Sequence, residues 1–305
     1  MYRARSAEAR GDMAAAAMLY REAERHAEAF MKAAILNKLG MLAYNLGDLP
    51  GARARYEAAL AVKPDEYAIH MNLGNALHNL GEHDAARRAY DQALALNRLP
   101  DVLLNLAMFL AERDPRAALG LIRESLQSPD GLEKTGIPVE VPLHMLVDLG
   151  EHAELRAEVL QTIDEAAART WGSTEPWTFA NLRALLLSRI GRSDESLRAF
   201  EVIRKEWPAA TDVCFNLGMA LVRLERWDDA RAEFSKVDHP LRHYGLALNF
   251  ERTGHPEDAA REYLGFLEGL AEEPMDELWA RGVDPERRYR SYVKQARDFL
   301  ATHPA

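Results

Sequence analysis

The stretch NLGNALHNLGEHDAARRAY, residues 72–90, reads as two short amphipathic helices joined at Gly81. It also places a second glycine, Gly74, inside the first helix, where glycine costs about 1 kcal/mol relative to alanine. Such a cost in a helix interior needs a packing reason. Repetition supplies one. Gly74, Ala86 and Tyr90 are spaced 12 and then 4 apart, and the same frame recurs as Gly40, Ala52, Tyr56 and as Gly218, Ala230, Phe234. Gly40 and Gly74 lie 34 residues apart, and Leu39, Leu73 and Leu217 precede the three glycines. Several residue types held in one register at a period of roughly 20–50 residues mark a repeat architecture.

In this register the segments resemble the tetratricopeptide repeat (TPR), a helix-turn-helix of about 34 residues with Leu-Gly, Ala, an aromatic, Ala and Pro at fixed places. With residue 33 as position 1, Leu39, Gly40, Ala52, Tyr56, Ala59 and Pro64 all fall on the family pattern. Residues 67–100 keep the register but carry Arg98 where the proline would stand. Residues 177–210 keep Phe200 and Pro208, with Ala184 for the glycine and Ser196 for the alanine. Residues 211–239 match through Phe234, and 240–272 supply Ala247, Ala259 and Tyr263 around a turn at Gly254. Weaker copies are a first repeat around Gly11, Ala16 and Tyr20, residues 101–128 with one residue missing in the turn ERDPRA, and residues 141–168 around Gly150.

The resemblance implies an all-α, right-handed superhelical solenoid of about eight repeats with a C-terminal capping helix near 285–301. A helix pair has two apolar faces and buries both only by stacking on neighbours. The expected division is 1–127 for N-terminal repeats, 128–176 for irregular loops and a degenerate repeat, 177–272 for C-terminal repeats and 273–305 for the cap, in one continuous solenoid. Both SPDGLEKTGIPVEV (128–141) and TWGSTEPW (170–177) read as loops from their Gly and Pro content. Position 8, held by Gly40, Gly74 and Gly218, is expected where the two helices of a pair approach most closely, with Ala107, Ala184 and Ala247 doing the same less tightly.

Composition narrows the function classes. The 305 residues hold 38 Lys plus Arg against 48 Asp plus Glu, a net charge of −10, which argues against nucleic acid as a partner. The longest apolar run, residues 102–111, contains Asn105 and falls well short of the ~20 residues that span a bilayer. The start MYRARSAEARGD has no apolar segment behind its basic residues, so a secretory signal is not expected and a cytoplasmic location is. Cys214 is the single cysteine, which removes intrachain disulfides and cysteine-based zinc sites.

No phosphate loop, nucleophile elbow, HExxH or dinucleotide fingerprint occurs. His239 and His243 stand four apart, but Pro240 places His239 before its helix, so metal ligation is not expected. His70 and His83 read as structural, and Cys214 as a buried thiol. Trp207 and Trp227 read as core residues, whereas Trp171 and Trp177 flank a loop and are candidates for a binding lip. No enzyme activity, cofactor or metal is expected.

Function should then lie in the groove. The resemblance implies that the first helix of each pair lines the concave surface through positions 2, 5, 9, 12 and 13. In the N-terminal half these are Asn37, Met41, Tyr44 and Asn45, then Met71, Asn75, His78 and Asn79, a neutral surface whose amides suit the backbone of an extended peptide. In the C-terminal half, position 13 is Arg189, Arg223 and Arg252, position 5 is Asn181, Phe215 and Tyr244, and position 9 is Leu185, Met219 and Leu248. A row of guanidinium groups beside an apolar strip suits acidic segments, while arginine near a helix C-terminus also complements the helix dipole. The lysine-rich carboxylate clamp of the family is missing: Asn72 fits, but Asn37, Met41, Asp101 and Asn105 do not.

The expected role is a non-enzymatic scaffold or adaptor binding a partner peptide, with an acidic segment, in the groove. The alternative is a regulatory or targeting subunit docking through its outer surface or through PERRYRSYVKQARDFL, where Arg287, Arg288, Arg290 and Lys294 contrast with the acidic remainder. The sequence sets no oligomeric state.

Overall fold

The computed structural model describes residues 2–127, 129–169, 171, 174–175, 177–207, 211–272 and 290–303, and among them every regular element is a helix. They fall into two compact units, Met1–Pro138 and Val139–Ala305. The first contains α1 (Tyr2–Ala9), α2 (Met13–Arg25), α3 (Ala29–Asn45), α4 (Leu49–Val62), α5 (Tyr67–Asn79), α6 (His83–Leu96), α7 (Pro100–Leu110), α8 (Pro115–Leu126) and α9 (Pro129–Thr135). The second contains α10 (Glu140–Leu149), α11 (Arg156–Ala167), α12 (Thr178–Arg189), α13 (Ser193–Glu206), α14 (Thr211–Arg223), α15 (Trp227–Phe234), α16 (Leu241–Arg252), α17 (Pro256–Glu272) and α18 (Arg290–Thr302).

Each unit is a series of helix pairs. Partners pack within a pair, and the first helices of successive pairs also touch, α3 on α5 on α7 in one unit and α12 on α14 on α16 in the other. These runs of first helices share one face of each unit, the face that the repeat resemblance implies is the inner one. The all-α repeat architecture with a terminal helix is the one expected, while Arg287 and Arg288 lie outside the described residues.

The glycines at position 8 show what the chain gains from them. A Cβ added to Gly74 would stand 2.8 Å from the ring of Tyr90, and one at Gly40 or Gly218 would stand 2.5 Å from Tyr56 or Phe234. All three rings are buried at 2% exposure or less. Glycine therefore makes room for an aromatic ring from the second helix of its own pair, not for facing backbone. Phe234 is held from two sides, because a Cβ at Gly245 in the next pair would also meet it, at 2.4 Å. Where Ala184 replaces glycine, the neighbouring alanine is Ser196, whose hydroxyl donates to the Ala184 carbonyl at 2.8 Å inside the core.

The turns within pairs follow backbone sterics. Gly47, Gly81, Gly191 and Gly254 take φ values of +79° to +82° at position 15, a region open to glycine at little cost. Glu225 holds the same place at φ +58°. The turn 111–114 is one residue shorter and has no positive φ; Asp114 caps the next helix by accepting from Ala117 N, with Pro115 at its first position. Asp12 and Asp48 cap α2 and α4 in the same way.

Residues 129–141 depart from the loop expected over 128–141, residue 128 lying outside the described residues. Pro129–Thr135 form α9, which packs on α7 and α8 and buries Leu132, while Gly136 at φ +68° ends it. Pro at the first turn of a helix is favoured, and the buried leucine supplies the anchor that composition alone hides. Of the second interruption, residues 170, 172, 173 and 176 lie outside the described residues.

Candidate binding faces

On the inner face of the first unit, amides pair between repeats. Asn72 Nδ2 donates to Asn37 Oδ1 at 3.0 Å, and Asn79 Nδ2 donates to the Tyr44 hydroxyl at 2.6 Å. Both partners are 35 residues apart, so position 6 reaches position 5 of the preceding repeat and position 13 reaches position 12. Asn75 Oδ1 accepts from Tyr90 at 2.6 Å, and Asn105 Nδ2 lies 3.5 Å from Met71 Sδ. Met41 is half-buried against the core of Ala33, Leu36, Ala52 and Tyr56, and Asn45 is exposed at the end of α3. His78 stands edge-on to Phe109 with centroids 5.4 Å apart.

Each paired amide thus spends one of its two polar ends inside the protein, which fixes its orientation. Asn72, which the groove positions passed over, takes part in this ladder, whereas the Asn105 amide turns back to the Asp101 carbonyl of its own helix at 2.7 Å. The signal was present as Asn at position 6 facing Asn at position 5 one repeat earlier, and it recurs in the second unit, where Asn216 Nδ2 donates to Asn181 Oδ1 at 3.1 Å. Asp101 ends the first unit's inner face as a part-buried carboxylate whose pKa burial raises, with Val102 N donating to it at 2.9 Å.

In the second unit the three arginines stand in different surroundings. Arg189 Nη1 contacts Asp148 Oδ1 at 2.7 Å and Glu151 Oε1 at 3.1 Å. Burial opposes its charge, but the two carboxylates outweigh burial and raise its pKa. Arg223 has no carboxylate partner among the described residues; Nη1 reaches the Ser188 hydroxyl at 3.5 Å and the Met219 carbonyl at 3.3 Å. Burial against the helices and repulsion from Arg189 lower its pKa from the ordinary arginine value. Arg252 is exposed, again without an ion pair among the described residues. Beside them lie Phe215, Leu185 and Leu248, each 7% exposed, the half-buried Met219, and Tyr244 at 3%.

A residue from the far end of the chain enters this face. Tyr292 of α18 stacks on Tyr244 with centroids 4.3 Å apart and planes at 23°, and its ring lies 6.4 Å from Phe215. The Tyr244 hydroxyl donates to Gln295 Oε1 at 2.8 Å.

Other candidates resolve into packing. Trp171 is no lip: its indole donates to the Ala166 carbonyl at 2.6 Å and the ring packs on Phe179. Trp177, Trp207 and Trp227 pack against the second unit's core. Cys214 is buried, and desolvation raises its thiol pKa. His243 meets Glu262 at 2.7 Å and His239 accepts from Leu241 N, while no group of three or more metal-ligating side chains occurs among the described residues. Lys294 pairs with Asp298 on the exposed side of α18. No helix among the described residues is long and apolar enough to cross a membrane.

Residues 37–102 and 181–240 match the tetratricopeptide repeat family. Among solved structures, a tetratricopeptide repeat protein from Parabacteroides merdae is similar over 97% of this chain and 96% of its own, at 16% identity and a TM-score of 0.53. PilF of Pseudomonas aeruginosa is similar over 81% of this chain and 96% of its own, at 15% identity and a TM-score of 0.39. No curated protein matches the sequence.

Proposed function

The chain is a tetratricopeptide-repeat protein, and from that premise we propose that it is a non-enzymatic scaffold whose second unit holds an extended, acidic segment of a partner protein on its inner face. The fold supports protein partners in general. The finer reading rests on one observation: Arg223 and Arg252 repeat at the same position of consecutive pairs without carboxylate partners among the described residues, beside an apolar and aromatic strip. A guanidinium without an acid partner gains a charge-assisted contact from a ligand carboxylate, worth roughly 1.5–3 kcal/mol. Arg189 offers less, since Asp148 and Glu151 already neutralise it.

The first unit supports backbone recognition of the same extended kind, because its paired amides hold their remaining donors and acceptors in fixed directions. A cytoplasmic location belongs to the proposal, and the net charge of −10 supports a protein partner over nucleic acid.

The test is fluorescence anisotropy with a panel of extended peptides that carry clustered Glu residues or their Gln counterparts. The expected result is binding of the acidic members that weakens with salt, falls at least about tenfold in the Arg223→Glu, Arg252→Glu double variant, and changes less in Arg189→Glu. Equal affinity of wild type and double variant at two salt concentrations removes the acidic-ligand reading.

A further inference from the structure

The last helix does more than close the end of a stack. Capping the final pair requires contact with α17, and α18 makes it, burying Val293 and Ala296 and placing Phe299 5.1 Å from Tyr263. Tyr292 reaches further. It lies on Tyr244 and approaches Phe215, the position-5 residues of two consecutive repeats, which belong to α16 and α14. Tyr292 also lies near enough to Arg189 and Arg223 for its phenol, when ionised, to favour their charge.

Gln295, one turn along, fastens the helix to the same face. It accepts from the Tyr244 hydroxyl at 2.8 Å and donates to the Tyr263 hydroxyl at 3.1 Å and to Glu251 at 3.4 Å. Glu251 in turn accepts from Tyr263 at 2.6 Å. An aromatic ring stacked on the strip close to the arginines is the pose a bound side chain would take there.

Building on the acidic-segment reading above, we propose that α18 is a ligand in cis: Tyr292 fills the aromatic anchor place of the second unit's inner face, and a partner segment bearing an aromatic side chain beside carboxylates binds by displacing it. The chemistry follows from what Tyr292 itself lacks. Its ring satisfies Tyr244 and Phe215, but a neutral phenol gives Arg223 no direct ion pair, and a carboxylate next to the ring supplies one. Covalent attachment gives α18 an effective concentration on the order of millimolar. A partner's apparent affinity is therefore reduced by the fraction of molecules in which the place is already filled, and any event that loosens α18 strengthens binding.

The experiment uses the full chain and two fluorescent probes, the peptide Glu-Glu-Tyr-Glu-Glu and its alanine counterpart Glu-Glu-Ala-Glu-Glu. Tyr292→Ala vacates the place; Gln295→Ala loosens the helix and keeps the tyrosine. Thermal unfolding of both variants checks that the fold is retained. The expected result is about tenfold tighter binding of the tyrosine probe to both variants than to wild type, little change for the alanine probe, and faster amide hydrogen exchange of α18 in wild type saturated with the tyrosine probe. If Arg223→Glu, Arg252→Glu abolishes binding while Tyr292→Ala and Gln295→Ala leave it at the wild-type level, the inner-face reading stands and the cis ligand is overturned. If no form of the chain binds the tyrosine probe, an aromatic acidic segment is not what the place accepts, and the proposal is overturned with it.

Discussion

At Gly74 two energies of similar size oppose each other. Gly74→Ala gains about 1 kcal/mol of helix propensity, but its new Cβ stands 2.8 Å from the Tyr90 ring. That ring is 1% exposed and bonded to Asn75, so it has little room to retreat. Overpacking of this kind costs about 1–3 kcal/mol. The expected outcome is net destabilisation, read as a lower urea midpoint, and reversal of its sign in a Tyr90→Leu background where the ring is gone. A higher midpoint for Gly74→Ala alone would show that the contact is soft. The residue spacing made this pair legible, since Gly and aromatic recur 16 apart in three repeats. What occupied the space was not legible, because ring and backbone are equally consistent with a glycine. Arg189 was harder still. It shares position 13 with Arg223 and Arg252, and only the fold brings Asp148 and Glu151, from the weakest repeat, onto it.

Elements were legible where each repeat closes its turn in the same way. Four glycines and Glu225 share one left-handed position, and a non-glycine residue there pays about 1–2 kcal/mol. Glu225→Gly should therefore stabilise the α14–α15 pair by about 1 kcal/mol, after allowance for glycine's larger unfolded-state entropy. Chemical denaturation followed by tryptophan emission measures it, because Trp227 opens α15; a loss of stability would mean the Glu225 side chain contributes more than its backbone costs. The shorter turn before Asp114 shows the alternative, which drops the strained residue and relies on an aspartate cap. Helix α9 escaped the sequence because seven residues opening with proline and holding an interior glycine carry too little periodicity to reveal a helix. Its single buried leucine acts through α7 and α8, which local pattern does not encode. The amide ladder escaped for a related reason: it links residues 35 apart, one more than the repeat length, so position-by-position comparison never sets the partners side by side.

Across the whole molecule, buried tyrosines set the alkaline limit. Burial, helped by a hydrogen bond to Glu8, pushes the Tyr20 phenol up to about 12, and burial lifts Tyr56, Tyr244 and Tyr263 further above the ordinary value of 10.0. A raised folded-state pKa means that the unfolded chain releases its protons first. The stability these groups contribute is therefore fully present below pH 10 and is lost as pH rises through their folded-state values. Thermal melts should hold level as pH approaches 10 and fall steadily above it, with phenolate absorbance from these tyrosines appearing only together with unfolding. Phenolate absorbance well before the melt would mean that the rings are open to solvent. Fold class and repeat count were legible at this scale because stacking demands the same residues again and again. The division after Pro138 was not, since repeats on either side of it follow the same pattern.

The aromatic residues packed into the two cores have an optical consequence. All five tryptophans fall between residues 171 and 279, within the second unit, whereas the first unit packs its core around Tyr20, Tyr56 and Tyr90. Excitation at the red edge of indole absorption therefore illuminates the second unit alone, whereas tyrosines lie in both units. A single unlabelled sample can report the melting of the second unit by indole emission, to be set against the helical signal to which both units contribute.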